Sequence, residues 1–356
     1  MDTLLLTQPD IVRMLHEYGR DELMRRVIDR IAEGLAAVHT GAAELSPLRD
    51  GFNRAEPVPG IIEWMPHREP GNGVTVKTVA YSPGNPGRYG LPTILGTVAR
   101  YDDLTGRLLA VADGVLLTAL RTGAVTAVAS RALARPDSAT VGLIGTGAQA
   151  VTQLHALALE FPVRTVLAHD RDPAHLASFA RRAAFLGLDV RPADPAHIAR
   201  SCDIIVTATS TEVGAAPVLP DVPTREHLHV NAIGSDLIGK TELPPGLLHR
   251  ALVVPDHPEQ ARREGECQQL TADHIGPELS RVCAEPERFA AARERLTVFD
   301  STGIALEDHL ALDVLTEAAV AIGAGTRLAL EYHPSDLLDP YSPCSGADRR
   351  PGALLP

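Results

Sequence analysis

Four cysteines (Cys202, Cys267, Cys283, Cys344) are scattered through 356 residues, with no Cys-x-x-Cys pair and no histidine at zinc-ligand spacing. That scarcity argues against a disulfide framework or a metal site and favours reduced thiols. Aromatic residues make up only 4% of the chain, so any core must be built from Ala, Leu, Val and Ile. Basic excess is missing too. The net charge of −12 argues against a nucleic acid or anionic membrane as partner, since both need a basic face, and suits a small cationic ligand. No apolar run approaches the ~18 residues of a membrane span, and no basic leader follows Met1-Asp2-Thr3. A cytoplasmic protein is expected.

What is present suits two domains. Residues 10–40 carry apolar positions at helical spacing, broken at Gly19. Between 58 and 112, short strand-like segments around Ile61–Met65, Val74–Val79, Thr93–Val98 and Leu108–Val111 are separated by Pro and Gly clusters. An Ala-rich helix over 115–134 stops before Pro136. From 140 to about 300, all-apolar strands (140–144, 165–168, 204–208, 229–232, 252–254, 297–299) alternate with helices, the signature of a parallel sheet covered on both faces. Residues 304–330 return to a helical pattern, and the Pro- and Ser-rich end from Asp339 to Pro356 is expected to fray. The predicted fold is therefore α/β. A Rossmann-type domain with a parallel sheet spans 129–304, and an α+β domain for substrate binding and dimerisation spans 1–128 with 305–356.

The strongest local signal is Gly145-Thr146-Gly147-Ala148-Gln149-Ala150, which follows a strand and opens a helix. Gly145 permits the tight turn, Gly147 lets backbone approach a diphosphate, and Ala150 keeps helix and strand close. The next strand ends at Asp170, whose carboxylate can accept ribose hydroxyls and would repel a 2′-phosphate. This favours NAD over NADP, although Arg171 beside it pulls the other way.

The fold alone names no reaction. Strand ends carry Asn231–Asp236 and Phe299–Gly303, small polar turns of the kind that close on a cofactor. From its spacing, Asp236 reads either as a loop cap or as an acid beside the nicotinamide. Arg49, Glu63, Lys77 and Arg121 stand within or beside apolar segments. A lone mid-strand lysine such as Lys77 ordinarily faces solvent. Arg121, read as near a helix start, has no dipole reason to be there and is a candidate carboxylate or phosphate ligand.

Several motifs together carry a family resemblance over nearly the whole chain. They are Pro59–Arg68, Leu91–Thr97, Leu120-Arg121-Thr122-Gly123-Ala124, Leu143–Ala150, His229–Asp236, Glu264-Gly265-Glu266 and Asp300–Gly303. The sequence resembles the ornithine cyclodeaminase/mu-crystallin family, and its Glu-Trp-Met-Pro-His-Arg stretch looks more like the branch that acts on lysine. The resemblance implies a closed redox cycle. A hydride leaves the amino-acid α-carbon for NAD, the terminal amine attacks the resulting imine, ammonia departs, and the cyclic imine regains the hydride. Lysine would give pipecolate, a building block in antibiotic biosynthesis, and ornithine would give proline.

Carried over by position, the resemblance implies Asp236 as the acid/base, with Glu63 and Lys77 also in the catalytic set. Arg49, Lys77 and Arg121 would hold the substrate carboxylate, with Met65 and Thr93 lining the pocket. Arg121, Thr122, Gly145, Thr146, Gly147, Ala148, Gln149, Asp170, Thr209, Asn231, Ser301 and Thr302 would contact NAD. A homodimer is implied, and no metal. Competing readings are an ornithine cyclodeaminase, an NAD(P)H-dependent imine reductase or alanine dehydrogenase, and a non-catalytic binding protein.

Overall fold

The computed structural model describes residues 2–343. Two seven-stranded sheets organise them. The first is laid down by β1 (Thr3–Leu6), β2 (Asp50–Arg54), β3 (Gly60–Glu69), β4 (Gly73–Tyr81), β5 (Ile94–Tyr101) and β6 (Leu108–Asp113). The second contains β7 (Thr140–Ile144), β8 (Thr165–His169), β9 (Asp189–Pro192), β10 (Ile204–Thr207), β11 (His229–Ala232), β12 (Leu252–Pro255) and β13 (Thr297–Asp300). A last strand, β14 (Thr326–Leu328), returns to the first sheet and gives it the order β14-β1-β6-β5-β4-β3-β2.

The second sheet is parallel at every pairing and ordered β12-β13-β11-β10-β7-β8-β9. The strand order reverses between β7 and β10, the switch point at which a doubly wound sheet opens a crevice for ligand. This is the expected α/β Rossmann architecture. Its central strands Ile204–Thr207 and His229–Ala232 are buried throughout, but the second is not all apolar as expected: His229 and Asn231 are buried with hydrogen bonds to Thr297 and Ser130.

The first sheet has two unlike faces. Along β3 the buried side chains are Ile61, Glu63, Met65 and His67, while Ile62 and Trp64 point outward. On β4 the same inner face carries Thr75, Lys77 and Val79, with Met65 paired to Lys77 and Glu63 to Val79. The helix Ala305–Ala321 covers this inner face and is buried nearly all round. It ends at Ala321, so the helical pattern expected to 330 gives way to Gly323, Gly325 and β14.

The helix Gly114–Leu133 joins the two halves, packing on β5 and on the dinucleotide helix Ala148–Glu160. Gly123 makes the second contact possible, because a Cβ there would stand 2.6 Å from the Thr152 carbonyl oxygen. The Arg-Thr-Gly motif is thus partly a packing motif. Asp113 caps the helix by accepting from the N–H groups of Val115 and Leu116. Arg121 consequently lies in mid-helix and not near a helix start as expected, beyond the reach of the N-terminal dipole.

At the N-terminus the break at Gly19 is real: a π-helical turn, Met14–Gly19, precedes the long helix Arg20–Thr40. Among the described residues no helix is long and apolar enough to cross a membrane. Cys202, Cys267 and Cys283 are free thiols, while Cys344 and the end of the Pro- and Ser-rich tail lie outside the described residues.

Candidate active site

The glycine loop sits at the switch point. Gly145 adopts φ +91°, and a Cβ on it would stand 2.4 Å from the Ala208 carbonyl oxygen on the loop after β10. Only glycine satisfies both conditions. Gly147, by contrast, faces open space, with nothing within 4 Å of an added Cβ. It is followed directly by the N–H groups that open the helix Ala148–Glu160 without a side-chain cap. Free amides beside open space fit a diphosphate. Among the described residues the buried oxygens Gln149 Oε1 and Ser301 Oγ find no hydrogen-bond partner, so polar capacity remains for a dinucleotide.

Other residues expected at the cofactor are already engaged. Asp170 Oδ2 accepts from Thr146 N at 2.7 Å and Thr146 Oγ1 at 2.9 Å. Burial raises this carboxyl, but those donors and the Asp172 N–H outweigh it and leave the group below its ordinary value. Asn231 is wholly buried, its side chain bonded to Ser130 and His229 and its strand paired on both sides, so the structure does not bring it to the cofactor face. Thr122 donates to the Thr118 carbonyl within its own helix. Thr209 gives its hydroxyl to Glu242 at 2.6 Å, and Thr302 gives its hydroxyl to Asp256 at 2.8 Å.

Those two acids shape the loops. Glu242 accepts from Thr207 Oγ1, Thr209 N, Thr209 Oγ1 and Gly234 N, tying together the turns after β10 and β11. Asp256 accepts from the N–H groups of Thr302 and Gly303 and so fixes the turn after β13. Both are buried, and each side chain is satisfied by converging donors.

The cations arrive from the other half of the molecule. Arg49 donates from Nε to Glu264 Oε1 at 2.7 Å, from Nη1 to the Thr302 carbonyl at 3.0 Å, and from Nη2 to the Asp236 carbonyl at 2.6 Å. Its Nε also stands 3.3 Å from Glu63 Oε1. Arg121 donates from Nη1 to Glu307 Oε2 at 2.7 Å, with Nε 3.3 Å from Asp308 Oδ1. Lys77 donates to the same Asp308 oxygen at 2.8 Å. The Arg121 guanidinium lies against Gly303, where an added Cβ would stand 2.6 Å from Nη1. Arg49 and Arg121 thus flank the Thr302-Gly303 turn at the carboxyl end of the parallel sheet.

Lys77 is 1% exposed, so this mid-strand lysine does not face solvent. Burial pulls it down to about 8 against the opposing pull of Asp308. Burial likewise pushes Glu63 and Glu264 above the ordinary carboxylate range, with Arg49 pulling the other way. Asp236 keeps a side chain 34% exposed and meets Lys240 Nζ through Oδ1 at 3.1 Å. Met65 is buried beside Val79 and Ala305, and Ile94, the neighbour of Thr93, packs on that group.

The site therefore holds two sets of polar contacts, Arg49 with Glu63, Glu264 and the Asp236 carbonyl, and Lys77 with Asp308 and Arg121, and the two arginines bring them to the same Thr302-Gly303 turn. Sequence reasoning passed over Glu307, Asp308, Lys240, Glu242 and Asp256, and quoted Glu264 without a role. One signal was available: Glu307-Asp308-His309 interrupts a helix apolar on every side, and acids buried in such a helix need cationic partners.

Glu69, His309 and Asp313 also place three ligand-type atoms within 4.8 Å of one another. Asn72 and His309 already bond Glu69, and Arg100 and Arg30 bond Asp313, so the group is an internal salt-bridge network.

The sequence profile of the ornithine cyclodeaminase/mu-crystallin family matches residues 9–322. An L-lysine cyclodeaminase of Streptomyces rapamycinicus is 52% identical over 342 residues, covering 96% of this chain and 100% of that protein. A solved lysine cyclodeaminase, studied for its recognition of L-lysine, L-ornithine and L-2,4-diaminobutyric acid, superposes with a TM-score of 0.94 at 63% identity. The match covers 96% of this chain and 99% of that one. An archaeal alanine dehydrogenase dimer with bound NAD gives a TM-score of 0.81 at 30% identity, over 93% of this chain and 100% of that one. By profile, sequence and fold alike, the chain belongs to the ornithine cyclodeaminase/mu-crystallin family.

Proposed function

We infer that the protein is an NAD-dependent L-lysine cyclodeaminase, which converts L-lysine to L-pipecolate and ammonia with internal recycling of the hydride. The observation that carries this reading is the convergence of Arg49, Lys77, Arg121, Glu63 and Asp236 at the carboxyl ends of a dinucleotide-binding sheet. The lysine cyclodeaminase relatives support lysine as substrate. NAD, when bound at the glycine loop, supplies the hydride acceptor and donor.

The chain's own residues supply the rest. Arg49, Lys77 and Arg121 hold the substrate carboxylate, and Arg49 and Arg121 do so beside the turn after β13. Asp236, the half-exposed acid, takes a proton from the α-ammonium and later returns one to the departing amine. Glu63 faces the same space with a raised affinity for protons, suited to receiving one from the terminal ammonium before ring closure. Anchoring one end of a flexible diamino acid makes the ring-closing attack intramolecular, which is where most of the rate gain lies.

The domain division proposed from sequence (1–128 with 305–356, and 129–304) is supported by sheet membership, because β14 rejoins the first sheet. We extend the reading to a cytoplasmic homodimer whose pipecolate feeds antibiotic biosynthesis. The outward face of the first sheet supports the dimer. It exposes Phe52 (72%), Ile62 (43%) and Trp64 (36%), an apolar group that a second copy would cover. Purified protein given L-lysine and catalytic NAD+ tests the function: pipecolate and ammonia should appear in equal amounts.

A further inference from the structure

Lys240 is a buried lysine, 2% exposed, to which the reading above gives no task. Its Nζ donates to Asp236 Oδ1 at 3.1 Å and lies 5.3 Å from the centroid of the Tyr81 ring. The Asp236 carboxylate makes no other hydrogen bond among the described residues, so Oδ2 is left unpaired. The backbone is arranged to hold this contact. Lys240 N donates to the Leu237 carbonyl at 3.0 Å, closing a turn through Gly239. The Lys240 carbonyl in turn accepts from Ser235 Oγ at 2.8 Å and Gln268 Nε2 at 3.0 Å. The side chain is thereby folded back onto the acid four residues before it.

The surrounding charges come from several elements. Asp236 faces Arg49 from the loop before β2, Glu63 from β3, Glu264 from the helix Pro258–Glu264, and Lys240 itself. Lys240 faces Tyr81 at the end of β4 and Glu242 on its own loop. Burial pulls the ammonium down, but Asp236, Tyr81 and Glu242 outweigh it and leave Lys240 above its ordinary value. It remains a cation wherever the enzyme works.

We propose that Lys240 is a positioning residue for Asp236, fixing Oδ1 with its ammonium so that Oδ2 alone meets the amines of the substrate. The inference rests on Asp236 being the proton carrier. One N–H bond of the α-ammonium breaks as an O–H bond forms at Oδ2. The reverse transfer to nitrogen accompanies loss of ammonia. Lys240 keeps its own protons throughout. With Oδ1 held by the ammonium, the carboxylate faces in one direction.

The test is the pH profile of kcat/KM for L-lysine in Lys240→Met and Lys240→Arg. The methionine variant should lose at least tenfold in kcat at neutral pH. Its acidic limb should move up by about one pH unit or more, the size expected when an adjacent opposite charge is removed. NADH binding, followed by fluorescence, should be unchanged. The arginine variant should keep the wild-type limb and recover most of the rate. Lys240→Gln replaces the methionine variant if that one fails to bind NADH. A uniform loss with an unmoved limb, or an arginine variant as impaired as the neutral one, overturns the proposal. Failure of the functional reading shows separately, as a wild-type enzyme that makes no pipecolate.

Discussion

Lys77 of β4 donates to Asp308 of the helix Ala305–Ala321 at 2.8 Å, and both side chains are almost completely removed from water. Asp308 also lies 3.3 Å from Arg121, so one carboxylate faces two of the three cations assigned to the substrate carboxylate, Arg121 being held by Glu307 as well. A buried acid in this position keeps two like charges together until the substrate arrives.

A pH dependence follows. Lys77 is a cation below about 8 and neutral above it. Its grip on the substrate carboxylate therefore weakens as pH rises through that value, and KM for lysine should climb. In Lys77→Arg the guanidinium stays charged, so the climb should begin at higher pH. Initial-rate kinetics across pH 7–10 checks this (an ~3-unit window around the shifted group). Identical profiles for the two proteins would remove Lys77 from carboxylate binding.

Asp308→Asn keeps the shape and removes the charge, taking from buried Lys77 its acidic partner and leaving Arg121 with Glu307. Breaking such a pair costs on the order of 3–5 kcal/mol. Thermal unfolding should show a Tm several degrees lower, and bound pipecolate, which brings its own carboxylate, should restore part of the loss.

The two glycines of the cofactor loop should separate folding from binding. Gly145→Val places a Cβ against the Ala208 carbonyl in a left-handed backbone region and should lower stability and NAD affinity together. At Gly147 an added Cβ meets nothing within 4 Å and φ is an ordinary −71°, so the fold should survive Gly147→Val. NAD affinity should nonetheless fall at least tenfold, about 1.4 kcal/mol, because the side chain fills the space left for diphosphate. Calorimetric titration with NAD+ against thermal unfolding distinguishes the two variants.

Much of this architecture was legible in the chain, for reasons that also explain the gaps. Among the inner strands of the parallel sheet Ile204–Thr207 announces itself as an apolar run, whereas His229–Ala232 buries the polar His229 and Asn231 and was legible only from its place in the alternation. The edge strands do not. Asp189–Pro192 contributes only Val190 to the interior, and Asp50–Arg54 is largely exposed, so neither carries an apolar period. The glycine loop was readable because its function is local. Arg49 and Lys77 find their partners 215 and 231 residues away, at Glu264 and Asp308, and no local pattern encodes such a pairing. Lys77 shows the consequence: mid-strand position suggested solvent, and only the helix laid over the sheet reverses that.

The outward face of β2 and β3 carries a prediction about assembly. Phe52 and Trp64 stack edge to face at 5.2 Å on an exposed sheet surface. Light scattering should give twice the 37.9 kDa chain mass for the native protein and the single mass for Trp64→Glu. A native monomer would refute the dimer.

Asp236→Asn should abolish deamination, with kcat lower by on the order of 10³-fold, the scale of a lost general acid–base group. NADH fluorescence should still report a bound cofactor. Retained activity would place the proton carrier elsewhere.

The most direct test of the central claim is a competition: purified protein, catalytic NAD+, and equal L-lysine and L-ornithine, with products followed by mass spectrometry and NADH by absorbance. The account predicts mostly pipecolate, matching ammonia, and no accumulation of NADH. Predominant proline, or NADH rising with turnover, would contradict it.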